Sequence, residues 1–124
     1  MTAIRILIVD DVSQVRQELC TLLPLAGDFE IVGAAADGRE AVRLAETLQP
    51  EVILMDLEMP VLDGCEATRQ IKTHCPTCRV IALTIHDHEA VRQIASQAGV
   101  DGFVVKGAPL ERLVGAILEA PAPG

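Results

Sequence analysis

Short runs of Val, Ile and Leu recur about 25 residues apart along this chain, and amphipathic segments separate them. The runs contain few polar residues, which is typical of strands that helices cover on both faces. This alternation predicts an α/β fold with a single parallel sheet. We expect its five strands at residues 4–9, 30–35, 51–56, 79–84 and 102–105.

Five helices are expected between and after these strands. Acidic capping pairs mark the amino ends of the second and third helices: Asp37 with Glu40, and Asp63 with Glu66. The fourth helix is expected to end at Gly99. Right-handed crossovers then favour a doubly wound, flavodoxin-like sheet with strand order 2-1-3-4-5 and helices on both faces.

The length of 124 residues suits one domain with one hydrophobic core. We assign residues 1–119 to that domain. Residues 120–124 are rich in Ala and Pro, which is typical of the start of an extended linker. The chain is therefore expected to be one part of a longer protein.

The charge and the apolar runs bear on partners and location. A net charge of −8 argues against nucleic-acid binding by this chain alone, because neutralising phosphates requires clustered Lys and Arg. No apolar run reaches the roughly 20 residues of a membrane span, and no signal segment is evident. We expect a cytoplasmic protein without membrane association, with four reduced thiols: Cys20, Cys65, Cys75 and Cys78.

Charged residues stand at the ends of three predicted strands. Asp10 and Asp11 follow the first strand, Asp56 ends the third, and Lys106 follows the fifth. These residues should meet at one edge, because the strands are parallel. Three clustered carboxylates repel one another and require a divalent cation, and the lysine requires an added anion. The pattern predicts a phosphate-handling site with Mg²⁺ as its cofactor.

The residue types at this edge suit phosphoryl transfer. Asp11 and Asp56 offer hard oxygen ligands for Mg²⁺, and Asp10 can hold a metal-bound water. With the metal in place, an aspartate oxygen can attack a phosphoryl group while Lys106 stabilises its charge. Thr84 ends the fourth predicted strand and can donate its hydroxyl to that phosphoryl.

Over residues 4 to about 119, the chain resembles the receiver domains of two-component response regulators. Four motifs carry the resemblance: Ile-Leu-Ile-Val-Asp-Asp at 6–11, Met-Asp-Leu-Glu-Met-Pro-Val-Leu-Asp-Gly at 55–64, Leu-Thr-Ile-His-Asp at 83–87 and Gly-Phe-Val-Val-Lys-Gly at 102–107. The third motif and the Ala-Pro-Leu-Glu-Arg-Leu segment at 108–113 are most similar to the NarL/FixJ subfamily.

The resemblance implies a role for each acidic residue. Asp56 would be the phosphoacceptor and a metal ligand. Asp10 and Asp11 would form the acidic pair around Mg²⁺, and the backbone carbonyl of Glu58 would be a further ligand.

The resemblance also implies a switch. Lys106 and the backbone amide of Ile85 would contact the phosphoryl oxygens. Thr84 would turn inward to hydrogen-bond them, and Phe103 would follow as the aromatic switch. The Lys106-Gly107 bond stands where many receivers have a Lys-Pro bond, and we expect it to be trans.

The implied partners are a sensor histidine kinase or a phosphotransfer protein as phosphodonor. A homodimer could form on phosphorylation, and a DNA-binding helix-turn-helix domain would follow outside this chain. Catalysis by the chain itself would be limited to slow autophosphorylation and autodephosphorylation.

Two enzymatic alternatives stay open. A small Mg²⁺-dependent phosphatase with an aspartyl-phosphate intermediate would use Glu58, two residues after the nucleophile, for acid-base catalysis. A thiol oxidoreductase would use Cys75 and Cys78. Redox pairs of this spacing gain a low thiol pKa at a helix start, whereas this pair is expected in a loop that leads into a strand.

Overall fold

The computed structural model describes residues 3–59 and 61–119, in which strands and helices alternate. The strands are β1 (Ile4–Val9), β2 (Phe29–Ala35), β3 (Val52–Asp56), β4 (Arg79–Thr84) and β5 (Gly102–Val105). The helices are α1 (Ser13–Ala26), α2 (Gly38–Leu48), α3 (Gly64–His74), α4 (Glu89–Ala98) and α5 (Leu110–Leu118). The segment predicted to begin a linker, residues 120–124, lies outside the described residues.

The strands form one parallel sheet in the order β2-β1-β3-β4-β5, as predicted. The first and third strands are neighbours, and Val9 lies opposite Met55 at their carboxyl ends. The chain reverses its direction of winding between these two strands. A crevice at such a point is where open α/β sheets bind ligands.

The sheet is buried on both faces. Leu7 and Val9 pack with residues of α2 and α3. Their neighbours Ile6 and Ile8 pack on the other face with residues of α1 and α5. Because neighbouring strand residues point to opposite faces, a strand covered on both sides needs apolar side chains at every position.

The predicted helix ends are confirmed. The Asp37 carboxylate accepts a hydrogen bond of 2.9 Å from the amide of Glu40 at the start of α2. Asp63 accepts one of 2.9 Å from the amide of Glu66 at the start of α3. Helix α4 ends at Gly99, whose φ of 106° is readily reached only by glycine. None of the described helices is long and apolar enough to cross a membrane.

The expectation of four reduced thiols is wrong for one pair, since Cys75 and Cys78 form a disulfide. Cys75 caps the end of α3, and Cys78 directly precedes β4. Their Cα atoms are 5.6 Å apart, a distance that a disulfide readily spans. The expected cytoplasmic location predicts reduced thiols, but the turn after α3 brings these two sulfurs together. Cys20 and Cys65 are free, as predicted.

Candidate functional site

The carboxyl ends of β1 and β3 bring the three predicted aspartates together. Asp10 follows the last residue of β1, and Asp56 is the last residue of β3. One carboxylate oxygen from each of Asp10, Asp11 and Asp56 lies within 4.8 Å of the other two. Asp10 and Asp56 are fully buried, whereas Asp11 is exposed.

Lys106 reaches the same cluster from the end of β5. Its Nζ lies 3.1 Å from Asp10 Oδ2 and 3.2 Å from Asp56 Oδ1. Burial alone lowers the pKa of Lys106, but the close contact with the Asp10 carboxylate and the negative charges of Asp56 and Asp10 outweigh burial and raise that pKa. The ammonium therefore stays protonated at neutral pH. Its peptide bond to Gly107 is trans, as predicted.

The two oxygens of Asp56 have different surroundings. Oδ1 accepts a hydrogen bond of 3.0 Å from the amide of Glu58, whereas Oδ2 is buried and accepts none within the described part of the chain. Burial is the main cause that raises the pKa of Asp56 to about 6, and the charge of Asp10 adds to it. The Glu58 amide and Lys106 oppose this rise. The carboxylate is thus short of stabilising partners.

The cluster fits a divalent cation. Asp10 Oδ1 accepts a hydrogen bond of 2.9 Å from the Val12 amide. Asp10 Oδ2 has the Lys106 ammonium nearby but accepts no hydrogen bond of good geometry, and Asp56 Oδ2 is likewise without a donor among the described residues. Buried anionic oxygens without donors are costly, and hard cations bind such oxygens. Among the described residues, only the Lys106 ammonium forms an ion pair with these carboxylates, and one such pair leaves the cluster with excess negative charge.

Thr84 is buried at the end of β4, and its hydroxyl forms hydrogen bonds with two residues of the neighbouring loops. Its hydroxyl donates a hydrogen bond to the Glu58 carboxylate and accepts one of 3.0 Å from the amide of His86. Sequence reasoning assigned Glu58 a backbone carbonyl ligand to the metal and, in the phosphatase alternative, an acid-base role, but it missed this contact with Thr84. No sequence signal identifies it, because the two residues are 26 positions apart and on separate loops.

Phe103 lies on β5, partly buried against a small apolar cluster that includes Ala82 and Ala95. The guanidinium carbon of Arg92 lies 4.4 Å from the centre of the Phe103 ring, within the range of a cation–π interaction. Arg92 Nε is also 2.7 Å from Asp87 Oδ1. Sequence reasoning missed Arg92 and Asp87, since helical spacing identifies apolar faces but not which cation covers a distant ring.

The loop between β3 and α3 approaches the site closely. A Cβ atom at Gly64 would lie 2.2 Å from the carbonyl oxygen of Asp56, so only glycine lets α3 begin at this distance. In the same loop, Val61 has a φ of 71°, which is unfavourable for a β-branched residue. The side chain of Ile85, after β4, is 66% exposed. His86 and His88 are exposed as well.

The fold and the site together define a class of protein. It is a doubly wound α/β domain whose acidic pocket lies between the carboxyl ends of β1 and β3, with a lysine directly after β5. Residues 6–118 match the model of the response regulator receiver domain. The chain belongs to this family, whose members are typically signalling switches and not enzymes.

Individual relatives agree with the predicted subfamily. The chain is 45% identical to the response regulator protein VraR of Staphylococcus aureus over 105 residues, 83% of this chain and 49% of the relative. It therefore spans about half the length of the curated relatives it matches.

Solved structures give the same result. The signal receiver domain of NarL from Mycobacterium tuberculosis is 32% identical, with a TM-score of 0.89 and coverage of 95% of both chains. A DNA-binding response regulator of the LuxR family from Staphylococcus aureus is also 32% identical, with a TM-score of 0.85 and coverage of 91% of this chain and 94% of that one. The resemblance to NarL/FixJ-type receivers is confirmed.

Proposed function

We propose that this chain is a phosphorylation-dependent switch that accepts a phosphoryl group on Asp56 from a sensor histidine kinase or a phosphotransfer protein. The observation that carries the proposal is Asp56 Oδ2, a buried carboxylate oxygen that accepts no hydrogen bond from the described residues. This oxygen is free to act as a nucleophile. The other carboxylate oxygen of Asp56, Oδ1, is held by the Glu58 amide at 3.0 Å and by Lys106 at 3.2 Å.

Each site residue then has a chemical task. Asp56 forms the new oxygen–phosphorus bond as the imidazole nitrogen of the donor leaves with the bonding electron pair. Lys106 lies between Asp10 and Asp56 and stabilises negative charge on the transferred oxygens. Mg²⁺ held by Asp10, Asp11, Asp56 and the Glu58 carbonyl would neutralise the carboxylates and the incoming phosphoryl group.

The switch begins at Thr84. Its hydroxyl is held by the Glu58 carboxylate, and a phosphoryl group on Asp56 would compete for it with strongly accepting anionic oxygens. Turning inward, Thr84 would vacate space for Phe103, and the Ile85 amide would contact the phosphoryl group. The Arg92 guanidinium on the Phe103 ring favours the present conformation, so phosphorylation has to shift this balance.

A cleft beside the site supports docking of the phosphodonor. It has a volume of about 330 Å³ and lies between α1 and α5, with Asp10 and Lys106 at one end. Leu19, Leu22 and Leu110 supply apolar surface along it. An apolar cleft that leads to the phosphoacceptor suits a helical partner carrying a phosphohistidine.

The remainder of the function lies outside this chain. We propose that residues 1–119 form the receiver, that residues 120–124 begin a linker, and that a DNA-binding helix-turn-helix domain follows. The LuxR-family relative described as DNA-binding supports this arrangement. We further propose a cytoplasmic location and homodimerisation on phosphorylation. Catalysis by the chain itself is limited to slow autophosphorylation and autodephosphorylation.

The phosphatase alternative is not favoured. The family match points to a signalling module, and the Glu58 carboxylate that a phosphatase would use already accepts the Thr84 hydroxyl. A phosphatase would release phosphate from small esters continuously, whereas the proposed switch accumulates one phosphoryl group per chain.

The proposal is tested by incubating the chain with acetyl phosphate and Mg²⁺ and measuring its intact mass. We expect an adduct of about 80 Da, corresponding to one phosphoryl group, that decays slowly. Asp56→Asn should give no adduct, because the amide is not a nucleophile. Removing Mg²⁺ with EDTA should suppress the adduct in the unchanged chain.

Asp28→Asn is the matched control, since Asp28 is exposed and remote from the acidic cluster. It should be phosphorylated like the unchanged chain. An equal adduct on Asp56→Asn would place the phosphoacceptor elsewhere, and the absence of any adduct on the unchanged chain would refute the proposed function.

A further inference from the structure

The disulfide between Cys75 and Cys78 has no task in the switch proposed above. It lies where α3 ends and β4 begins, at the opposite edge of the sheet from Asp56. Both cysteines are buried, with Cys75 5% exposed and Cys78 fully enclosed. What the pair does therefore depends on whether the structure accommodates its reduced form and whether a reactant can reach it.

The surroundings accommodate both oxidation states. Cys78 Sγ lies 3.1 Å from the carbonyl oxygen of Pro50, and Cys75 Sγ lies 3.7 Å from Oε1 of Gln49. A disulfide sulfur has no hydrogen to donate, whereas a thiol is a weak donor. After reduction, each S–H group would find an acceptor oxygen already in place. Neither state leaves a buried thiol without a partner.

A reactant can approach from one side. A cleft of about 420 Å³ is lined by Cys75 and Thr77 together with Gln49 and Pro50. Cys75 lines this cleft, while Cys78 is fully enclosed. An incoming thiolate would therefore meet the sulfur of Cys75 first, with Cys78 as the leaving group.

The position of the pair argues against a thiol oxidoreductase. Cys75 lies at the carboxyl end of α3, where the partial negative charge of the helix disfavours a thiolate. Oxidoreductase pairs instead use a helix amino end to stabilise the attacking thiolate. The disulfide also contributes little to the stability of the fold, because it joins residues only three positions apart and constrains the unfolded chain little.

We propose that Cys75 and Cys78 form a reversible thiol–disulfide modification site that exchanges electrons with the thiol pool around the protein. The inference rests on the proposed function for its compartment, since disulfides in cytoplasmic proteins are commonly transient and redox-sensing. The reactants are a dithiol in the reducing direction and a low-molecular-weight disulfide in the oxidising direction.

The exchange balances in two steps. In reduction, a thiolate of the dithiol attacks Cys75 Sγ, the bond between the two protein sulfurs breaks, and Cys78 leaves as a thiolate that takes up a proton. The second thiol of the reductant, as a thiolate, then attacks the mixed disulfide. This step releases Cys75, which is also protonated, and the oxidised reductant. The protein gains two electrons and two protons, and oxidation reverses both steps.

The test uses the folded chain carrying Cys20→Ser and Cys65→Ser, which leaves the pair as its only cysteines because the sequence has four. The protein is equilibrated with dithiothreitol or with oxidised glutathione, quenched with iodoacetamide and weighed intact. We expect two alkyl groups after dithiothreitol and none after oxidised glutathione. Circular dichroism should show a folded protein in both states.

Two outcomes would overturn the proposal. Alkylation of both thiols after native treatment with oxidised glutathione would mean that the folded protein does not form the disulfide. A disulfide that dithiothreitol reduces only after denaturation would be a fixed structural link. If the serine background unfolds, the unchanged chain with peptide-level mapping of the alkylated cysteines gives the same readout.

The acetyl phosphate assay on the same samples separates the two proposals. Thiol exchange without an adduct on Asp56 would refute the proposed function and leave the exchange chemistry intact. An Asp56 adduct on a chain whose pair does not cycle would refute only the modification site.

Discussion

The amino ends of the strands form one edge of the sheet and their carboxyl ends form the other, and these two edges treat polar groups in opposite ways. At the amino edge, Arg5 donates hydrogen bonds of 2.8 Å to the carbonyls of Leu48 and Gln49 at the end of α2. Arg79 likewise donates two bonds of 2.8 Å to carbonyls at the end of α5. At the carboxyl edge, Asp56 Oδ2 accepts no hydrogen bond from the described residues. The amino edge provides hydrogen-bond donors for the carbonyls at the helix ends. The carboxyl edge leaves a carboxylate oxygen that can still accept a hydrogen bond from a ligand or bind a cation.

The backbone conformation also differs between the two edges. At the amino edge, Gln49 has a φ of 50° as the cap of α2, a common left-handed helix end. In the irregular loop between β3 and α3, Val61 has a φ of 71°. A β-branched side chain is strained there, and strain of this kind tends to be found at functional sites. The amino edge thus has a common helix end, while the loop at the carboxyl edge contains a strained residue.

The largest expected effect is a gain of stability at the carboxyl edge. Asp56→Asn should raise the free energy of unfolding by up to about 3 kcal/mol above about pH 6 in metal-free buffer. The reason is that the folded protein raises the pKa of Asp56 from 3.8 to about 6, so ionising the carboxyl group opposes folding. The difference should shrink as the pH falls from about 6 to below about 4, where both side chains are neutral.

Urea unfolding across this pH range measures the effect, with Asp28→Asn as the exposed control. A constant difference between Asp56→Asn and the unchanged chain at all pH values would show that ionisation of Asp56 is not its source. A loss of stability at about pH 8 would reverse the comparison between the two edges.

At the amino edge, a substitution should lower the free energy of unfolding instead of raising it. Arg79→Ala should lower the free energy of unfolding by about 2 kcal/mol, because two carbonyls of α5 lose a charged donor. Arg43→Ala is the matched control: its side chain is 66% exposed and lies 3.7 Å from Glu40, so its loss should cost less than about 0.5 kcal/mol. Equal losses in the two variants, measured by thermal unfolding, would contradict a structural role for Arg79.

The smallest effect concerns the link from the site to Phe103. Arg92→Gln removes the cation from the ring and from Asp87, and should cost at most about 1 kcal/mol of stability. Because the same contact holds Phe103 in place, the initial rate of phosphorylation by acetyl phosphate should rise by up to about fivefold. Arg69→Gln, an exposed change on α3, should leave that rate unchanged. A slower Arg92→Gln would mean that the contact favours the phosphorylated state.

Strand positions were accessible from sequence because burial on both faces leaves an unbroken apolar run. The predicted bounds of β1, β4 and β5 agree with the structure, while β2 begins at Phe29 and β3 at Val52, each one residue from the prediction. The acidic cluster was predictable for a related reason: residues that follow parallel strands share an edge whatever the detailed packing. Topology alone therefore determined which charges would meet.

Contacts between side chains from distant loops were not accessible in this way. The hydroxyl of Thr84 could have bonded to water, to its own backbone or to Glu58, and only the folded loops select the carboxylate. Arg79 reaches a helix end 37 residues away, which no local pattern encodes. The disulfide was not predictable from the expected reducing compartment, because the turn that joins Cys75 to Cys78 brings the two sulfurs together.

The absence of a side chain at Gly64 has a consequence for protein engineering. A methyl group at this position would collide with the carbonyl of Asp56, so the distance between the start of α3 and Asp56 is limited by backbone contact. Transplanting the three aspartates and the lysine into another α/β scaffold would not reproduce the site. The glycine has to be transferred with them, together with the loop that holds it.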